Sequence, residues 1–201
     1  IQAMDGSFTP LVGTTGNDPL TGTAGVEYVY GLSGDDTLSG GAGVDALYGG
    51  DGNDQLIYDA ADAVMSGGAG NDTLNASAQG AGVLIDLRNY ADIENAVGGS
   101  GNDTLRGNSL DNLVVGGAGN DDIWGGPSGT DTLTGGTGAD TYWYGKADGN
   151  AIITADAANS LDTINFFDAA KSQLNYALSG SDLVITVTGS AGSLTVKDWT
   201  L

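Results

Sequence analysis

The chain has 201 residues, 36 of them Gly, with 26 acidic against 5 basic side chains, no His and no Cys, for a formal charge of −21. Without His or Cys there is no Ser-His-Asp triad, no Cys nucleophile, no disulfide and no ordinary zinc, haem or iron-sulfur site. Only Arg88, Arg106, Lys146, Lys171 and Lys197 are cationic, so the basic stripe that phosphate binding needs is missing and nucleic acid is not an expected partner.

All the acids except Glu27 and Glu94 are Asp, the residue of turns and hard cations rather than of acidic helices or tails. The opening "IQAMDGSFTP" has neither a basic n-region nor an apolar h-region. No run of about 18 apolar residues follows, so no transmembrane segment is expected. The first residue is not Met, so the chain reads as a fragment or a processed form. Residues 1–12 are a lead-in, and 1–7 are given no structural weight.

From Gly13 the register Gly-Gly-x-Gly-x-Asp-x-U-x, with U apolar, repeats every nine residues. Units begin at Gly13, Gly22, Gly31, Gly40, Gly49, Tyr58 and Gly67, and residues 13–75 form a first block. Its U column is Leu20, Val29, Leu38, Leu47, Leu56, Met65 and Leu74. A flexible Gly-rich linker would not keep such a column. Six residues with several glycines make a turn, since Gly allows positive φ, and the other three make a short strand with one side chain inward. Two half-turns complete a coil, and the parallel strands of successive coils stack at about 4.8 Å.

Residues 76–97 break the period. Val83, Ile85 and Leu87 alternate as a strand and Ile93 to Val97 as a second, which predicts wider coils that link the blocks and keep the core continuous without metal, a domain boundary being the alternative. A second block, residues 98–143, has units at Gly98, Gly107, Gly116, Gly125 and Gly135, with Leu105, Val114, Ile123, Leu133 and Tyr142 in the U column. The unit "GGPSGTDTLT" carries one extra loop residue. From Tyr144 the glycines thin out and period-two strands ("NAIITAD", "DTINFF", "QLNYALS", "SDLVITVTG", "GSLTVKDW") predict a small antiparallel cap over residues 144–201. Trp143, Phe166, Phe167 and Trp199 read as cap or core aromatics, with a sugar-stacking site as the alternative.

These units resemble the calcium-binding nonapeptide repeats of the RTX (repeats-in-toxin), haemolysin-type proteins, and "SGSDLVITVTGSAGSLTVKDW" is similar to the region that follows such repeats. The resemblance implies an all-β, right-handed parallel β-roll with a C-terminal antiparallel cap. It also implies a secreted bacterial protein exported by type I secretion machinery, with an uncleaved C-terminal signal that residues 144–201 would include.

Units 18 residues apart stack, so calcium is expected between stacked loops, held by sixth-position carboxylates and backbone carbonyls in calcium's flexible oxygen shell. One side of the first block carries Asp18, Asp36, Asp54 and Asp72. The other carries Glu27 and Asp45 and then Ala63, a weaker site. In the second block Asp103, Asp121 and Asp140 share a side, with Asn112 and Asp131 opposite. Gly34, Gly52, Gly70, Gly101, Gly119 and Gly138, fourth in their units, supply carbonyls. Asp59, Asp62, Asp86, Asp92 and Asp111 lie outside the sixth-position register and read as turn or solvated charges, and Asp35 as a secondary oxygen or a surface charge. The expected load is about seven ions, within about four to ten, which would bring the charge to about −7 and ease self-repulsion.

The leading expectation is a non-catalytic module that is unfolded where calcium is scarce and folds outside the cell. An adhesive or surface-layer module binding carbohydrate or a cell surface is the main alternative. A module of a polysaccharide-active enzyme is the other. Against an enzyme within this chain, the five cations are scattered along the sequence, where an anionic-sugar enzyme would cluster them.

Overall fold

The computed structural model describes residues 10–154 and 161–199. The lead-in up to residue 9 and the end of the "NAIITAD" strand at 155–156 lie outside the described residues. The chain divides into two compact units, Ile1–Leu74 and Asn75–Leu201.

The first unit is built of short strands: β1 (Leu11–Val12), β2 (Pro19–Thr21), β3 (Tyr28–Ser33) and β4 (Thr37–Ser39), then β5 (Ala46–Asp51), β6 (Gln55–Ile57), β7 (Val64–Ala69) and β8 (Thr73–Asn75). Odd strands form one parallel sheet in the order β1-β3-β5-β7, and β2, β4, β6 and β8 run side by side in the other. The register is the one the repeat dictates: Leu20 pairs with Leu38 and Leu38 with Leu56, while Val29 pairs with Leu47 and Leu47 with Met65. Each coil therefore covers the apolar residue of its neighbour. The U residues of this unit are buried except Leu20, at the first coil, which is half-buried. Outside, Tyr30 and Tyr48 stack with ring centroids 5.0 Å apart. Leu11 pairs with Val29, so parallel pairing reaches back into the lead-in.

The second unit opens on the non-repeat segment: β9 (Leu84–Asp86), a 3-10 turn (Leu87–Asn89) and β10 (Asn95–Val97). Ile85, Leu87 and Ile93 are fully buried, but Leu87 enters the core from the 3-10 turn rather than from a continued strand. Then come β11 (Thr104–Arg106), β12 (Leu113–Ala118), β13 (Asp122–Trp124), β14 (Thr130–Thr137) and β15 (Thr141–Tyr144). β9-β11-β13-β15 and β10-β12-β14 are parallel sheets. The extra loop residue moves the pairing to Val114 with Leu133 and Ile123 with Tyr142 without turning any side chain over.

The coil pattern continues past Tyr144. β16 (Asn150–Ile153) pairs parallel to β14, and β17 (Thr163–Phe166) parallel to β15. Antiparallel pairing, expected from Tyr144 onward, is confined among the described residues to β18 (Leu174–Ser179), β19 (Asp182–Val187) and β20 (Ser193–Val196). β20 also lies parallel on β16, so the hairpin grows from the sheet edge and covers it. Tyr144 is buried, with Phe166 edge-on at 6.0 Å, whereas Phe167 and Trp199 are exposed and not core. Arg88 and Arg106 both approach Asp86, so two of the five cations meet on one outward face and are not scattered.

Leu32, second in its unit, sits at φ 85° where the units from Gly40, Gly49, Gly67 and Gly116 place Gly41, Gly50, Gly68 and Gly117, also at positive φ. An L side chain there costs about 1–2 kcal/mol, and Leu32 is nearly half exposed, so little burial is lost on removing it. Leu32→Gly should raise stability by about 0.5–1 kcal/mol after the entropy of the added glycine. Gly50→Ala should lower it, because the new Cβ would lie 2.1 Å from the Leu32 carbonyl oxygen. Thermal unfolding of the two variants measures both shifts.

Candidate metal centre

The loops are held in register by two rows of side-chain hydrogen bonds running in opposite directions. At the sixth position each Oδ1 accepts the backbone N–H of the acid one coil earlier. Asp36 takes Asp18 N at 2.8 Å, Asp54 takes Asp36 N at 2.8 Å and Asp72 takes Asp54 N at 2.7 Å. At the fifth position the side chain accepts from the coil that follows: Asn17 from Asp35 N at 2.9 Å, Asp35 from Asn53 N at 2.8 Å, Asn53 from Asn71 N at 2.9 Å. Asp35 is thus a rung of this second ladder.

Each sixth-position carboxylate lies over the first residue of its own unit. A Cβ on Gly31, Gly49 or Gly67 would come within 2.2, 2.2 or 2.3 Å of Oδ2 of Asp36, Asp54 or Asp72. Glycine is required there because the carboxylate occupies the space of a side chain. The fourth-position glycines have another reason: Gly34, Gly52, Gly70, Gly119 and Gly138 have positive φ. They also stack closely, a Cβ on Gly70 falling 1.8 Å from Gly52 O and one on Gly138 1.7 Å from Gly119 O. Gly101 has the clearance need without the positive φ, its Cβ position meeting Gly82 N at 2.2 Å.

On the other side of the first unit, Glu27 N donates to Asp45 Oδ1 at 2.7 Å, and Asp45 N donates to Asp62 Oδ1 at 3.2 Å. Asp62, read from the sequence as a turn or solvated charge, therefore fills the gap left by Ala63 from the fifth position. Asp59 does cap a turn, accepting from Ala61 N at 2.9 Å. In the second unit Asp103 Oδ1 accepts from Val83 N, Asp121 from Asp103 N and Asp140 from Asp121 N, each at 2.8 Å. The row goes one step further: Asp140 N donates to Asp162 Oδ1 at 3.0 Å. Asp162 was missed because no glycine turn precedes it, although "DTI" repeats the Asp-x-U signature.

Asn112 behaves differently from its acidic counterparts. Its Oδ1 accepts from Asn108 N at 2.8 Å, while its Nδ2 donates to Glu94 O at 2.8 Å and to Asn108 Oδ1 at 3.1 Å. Asn108 in turn reaches the carbonyls of Tyr90 and Ile93. An amide can donate to the facing coil's carbonyl, which a carboxylate cannot. Asp131 Oδ1 accepts from Asn112 N at 3.0 Å, and its pairing partner on the next strand is Ala151. Asp111 is a rung of the forward ladder, accepting from Thr130 N at 2.7 Å.

The electrostatics of the acidic rows are unbalanced. Oδ2 of Asp36, Asp45, Asp54, Asp62 and Asp121, and Oε2 of Glu27, are buried with no hydrogen-bond partner among the described residues. Such atoms cost about 1–3 kcal/mol each, more when charged. Burial pushes Asp54 up, against the N–H of Asp36 that lowers it. Burial likewise pushes Asp62 and Asp121 up to about 6 and Asp131 to about 7, with neighbouring carboxylates adding to the rise. Among the described residues no three acidic side chains converge on a point. An ion held between two loops would therefore take one or two carboxylates and complete its shell with backbone carbonyls and water. Such an all-oxygen, anionic and incompletely satisfied donor set fits Ca2+ and offers nothing to a metal that wants imidazole or thiolate.

Sequence comparison agrees with this geometry. The RTX calcium-binding nonapeptide repeat (4 copies) matches residues 11–31, 21–56, 59–79, 97–127 and 128–149, more than half of the chain. No curated protein matches significantly. Among solved structures, the extracellular lipase LipA from Serratia marcescens is similar at 21% identity and a TM-score of 0.33, over 96% of this chain and 38% of the lipase. The chain thus spans well under half of that protein's length. Since the matched repeats carry the acidic rows just described, this chain belongs to the family of RTX calcium-binding nonapeptide-repeat proteins.

Proposed function

We propose that the chain is a non-catalytic module whose folding depends on calcium and which acts in a secreted, extracellular protein. The observation that carries this reading is the row of buried, partnerless carboxylate oxygens between coils. Without a cation, every coil added to the stack brings another like charge beside the last, and the thin apolar column must bear that cost alone. With calcium, the same oxygens become the joint between coils. Loops pairing Asp18 with Asp36, Asp36 with Asp54, Asp54 with Asp72, Asp103 with Asp121, Asp121 with Asp140 and Glu27 with Asp45 hold the stronger sites. Asn112 with Asp131 forms the weakest, because the amide already bridges to the facing coil. Asp62 and Asp162 add two more pairs, raising the expected load from about seven ions to about nine.

Such a chain stays unfolded where calcium is scarce, passes a type I exporter, and folds where calcium is millimolar, a level that suits extracellular calcium modules. Family membership supports the exporter, and the absence of Cys is consistent with it. Residues 1–12, 13–75, 76–97, 98–143 and 144–201 serve as lead-in, first roll, linking coils, second roll and cap.

Far-UV circular dichroism tests the proposal: β signal should appear on adding calcium, be largely absent in EDTA, and develop far less with magnesium. A folded spectrum that persists in excess EDTA overturns it. Asp62→Ala should raise the calcium midpoint severalfold, while Asp51→Ala, at an exposed third position, leaves it unchanged. Acid acts on the two states in opposite directions. In the metal-free fold Asp62, Asp121 and Asp131 hold protons more tightly than in the unfolded chain, so the burial penalty is full above about pH 7 and shrinks as pH falls toward 5. The EDTA-treated chain should therefore gain structure on acidification, whereas the calcium midpoint should rise because protons compete for the same oxygens. Calcium titrations at pH 8 and pH 5.5 measure both trends.

A further inference from the structure

The outward face of the β9-β11-β13-β15 sheet departs from the polar, acidic surface of the repeats. Ile85, Leu105, Ile123 and Tyr142 point inward, so their strand neighbours face out. Pairing register lines these up as Asp86, Arg106, Trp124 and Trp143, one per strand. Arg106, Trp124 and Trp143, with Arg88, Asp122 and Phe167, line a cavity of about 400 Å³, within the size range of small-ligand sites, and Arg88 holds Asp86 at its side.

Its acids are already engaged. Arg88 grips Asp86 with both ends of its fork, Nε to Oδ1 at 2.8 Å and Nη2 to Oδ2 at 2.5 Å, and lies 5.4 Å from the centroid of the Trp124 ring. Asp122 Oδ1 accepts from Trp143 Nε1 at 2.9 Å, and Asp148 Oδ2 from Trp124 Nε1 at 2.8 Å. Each indole is thus pinned at its N–H edge. Arg106 comes no nearer than 3.8 Å to Asp86 and has no other ion-pair partner among the described residues, so its guanidinium fork is open. The cleft therefore offers indole rings fixed at their N–H edges, an open cation, an Asp86 neutralised by Arg88 and an Asp122 held by the Trp143 indole, on a chain whose surface is dominated by acids.

We propose that this cleft binds an acidic saccharide, a sugar ring lying against Trp143 and Phe167 while its carboxylate or sulfate meets Arg106. A sugar ring has an apolar C–H face for the aromatics and hydroxyls for Thr104 and Asp122 on the wall, and Arg matches a planar oxyanion bidentately. The cleft binds only as part of the folded chain and so rests on the calcium-loaded state proposed above.

The test titrates the calcium-loaded full chain with a galacturonate hexamer and, separately, a glucose hexamer, followed by calorimetry and tryptophan fluorescence. The galacturonate hexamer should bind and shift the emission, with the glucose hexamer about ten-fold weaker or more. Arg106→Gln should weaken galacturonate binding by about ten-fold or more, and Trp143→Ala should do the same. Absent binding, equal affinity for the two hexamers, or affinity unchanged in Arg106→Gln overturns the proposal. Circular dichroism of each variant in calcium separates the causes, because a chain that folds with calcium yet ignores both hexamers refutes the cleft and leaves the folding role standing. Should Trp143→Ala fail to fold, Arg106→Gln, at a half-exposed side chain, decides alone.

Discussion

Everything in the two stacks turns on carboxylates that the polypeptide satisfies only by halves. Oδ1 of Asp36 or Asp54 is met by an amide from the coil before it, which sets the height and register of the loops. The other oxygen is buried and unmet. A protein made of ordinary layers would have replaced such a group, because burying polar atoms without partners erodes a stability that is only marginal to begin with. Here it recurs coil after coil, so the fold is conditional on something that supplies positive charge to the same oxygens.

The Asn108 and Asn112 pair shows what the alternative looks like. Beside the irregular segment from Leu87 to Ile93, neutral amides span neighbouring coils through their own donors, and the backbone carbonyls of Glu94, Tyr90 and Ile93 are met directly. That solution needs no ion, but it serves one place with one set of carbonyls. The aspartate rows surrender self-sufficiency and gain a joint that repeats identically wherever the sequence repeats.

The U column and the spacing of 18 residues between stacked units were legible from the sequence, since only a stack of equivalent coils asks for one apolar residue at the same place in every unit. So were the acids at the sixth position. Asp62 escaped because it does the sixth residue's work from the fifth, and Asp162 because its glycines are gone. Strand direction in β16 and β17 was also hidden, since period-two alternation is the same in parallel and antiparallel sheets. Arg106, Trp124 and Trp143 were recoverable in principle: they occupy equivalent positions in successive coils. Counting inward residues at that period found the core, while the outward ones were left uncounted.

The opposed directions of the two ladders reach beyond the single chain. A coil offers acceptors backward through its sixth residue and forward through its fifth, with amides to match in each direction. An uncovered terminal coil at one end of such a stack is therefore complementary to the uncovered coil at the other end of a second stack, and head-to-tail contact of that kind runs on as a filament unless its rotation closes a ring. The hairpin of β18 and β19 places antiparallel strands, with no acid row, beyond β20 at the edge of one sheet, while the other sheet ends on β17. A roll deprived of that hairpin would present both of its last edges bare, and so carry the makings of a filament.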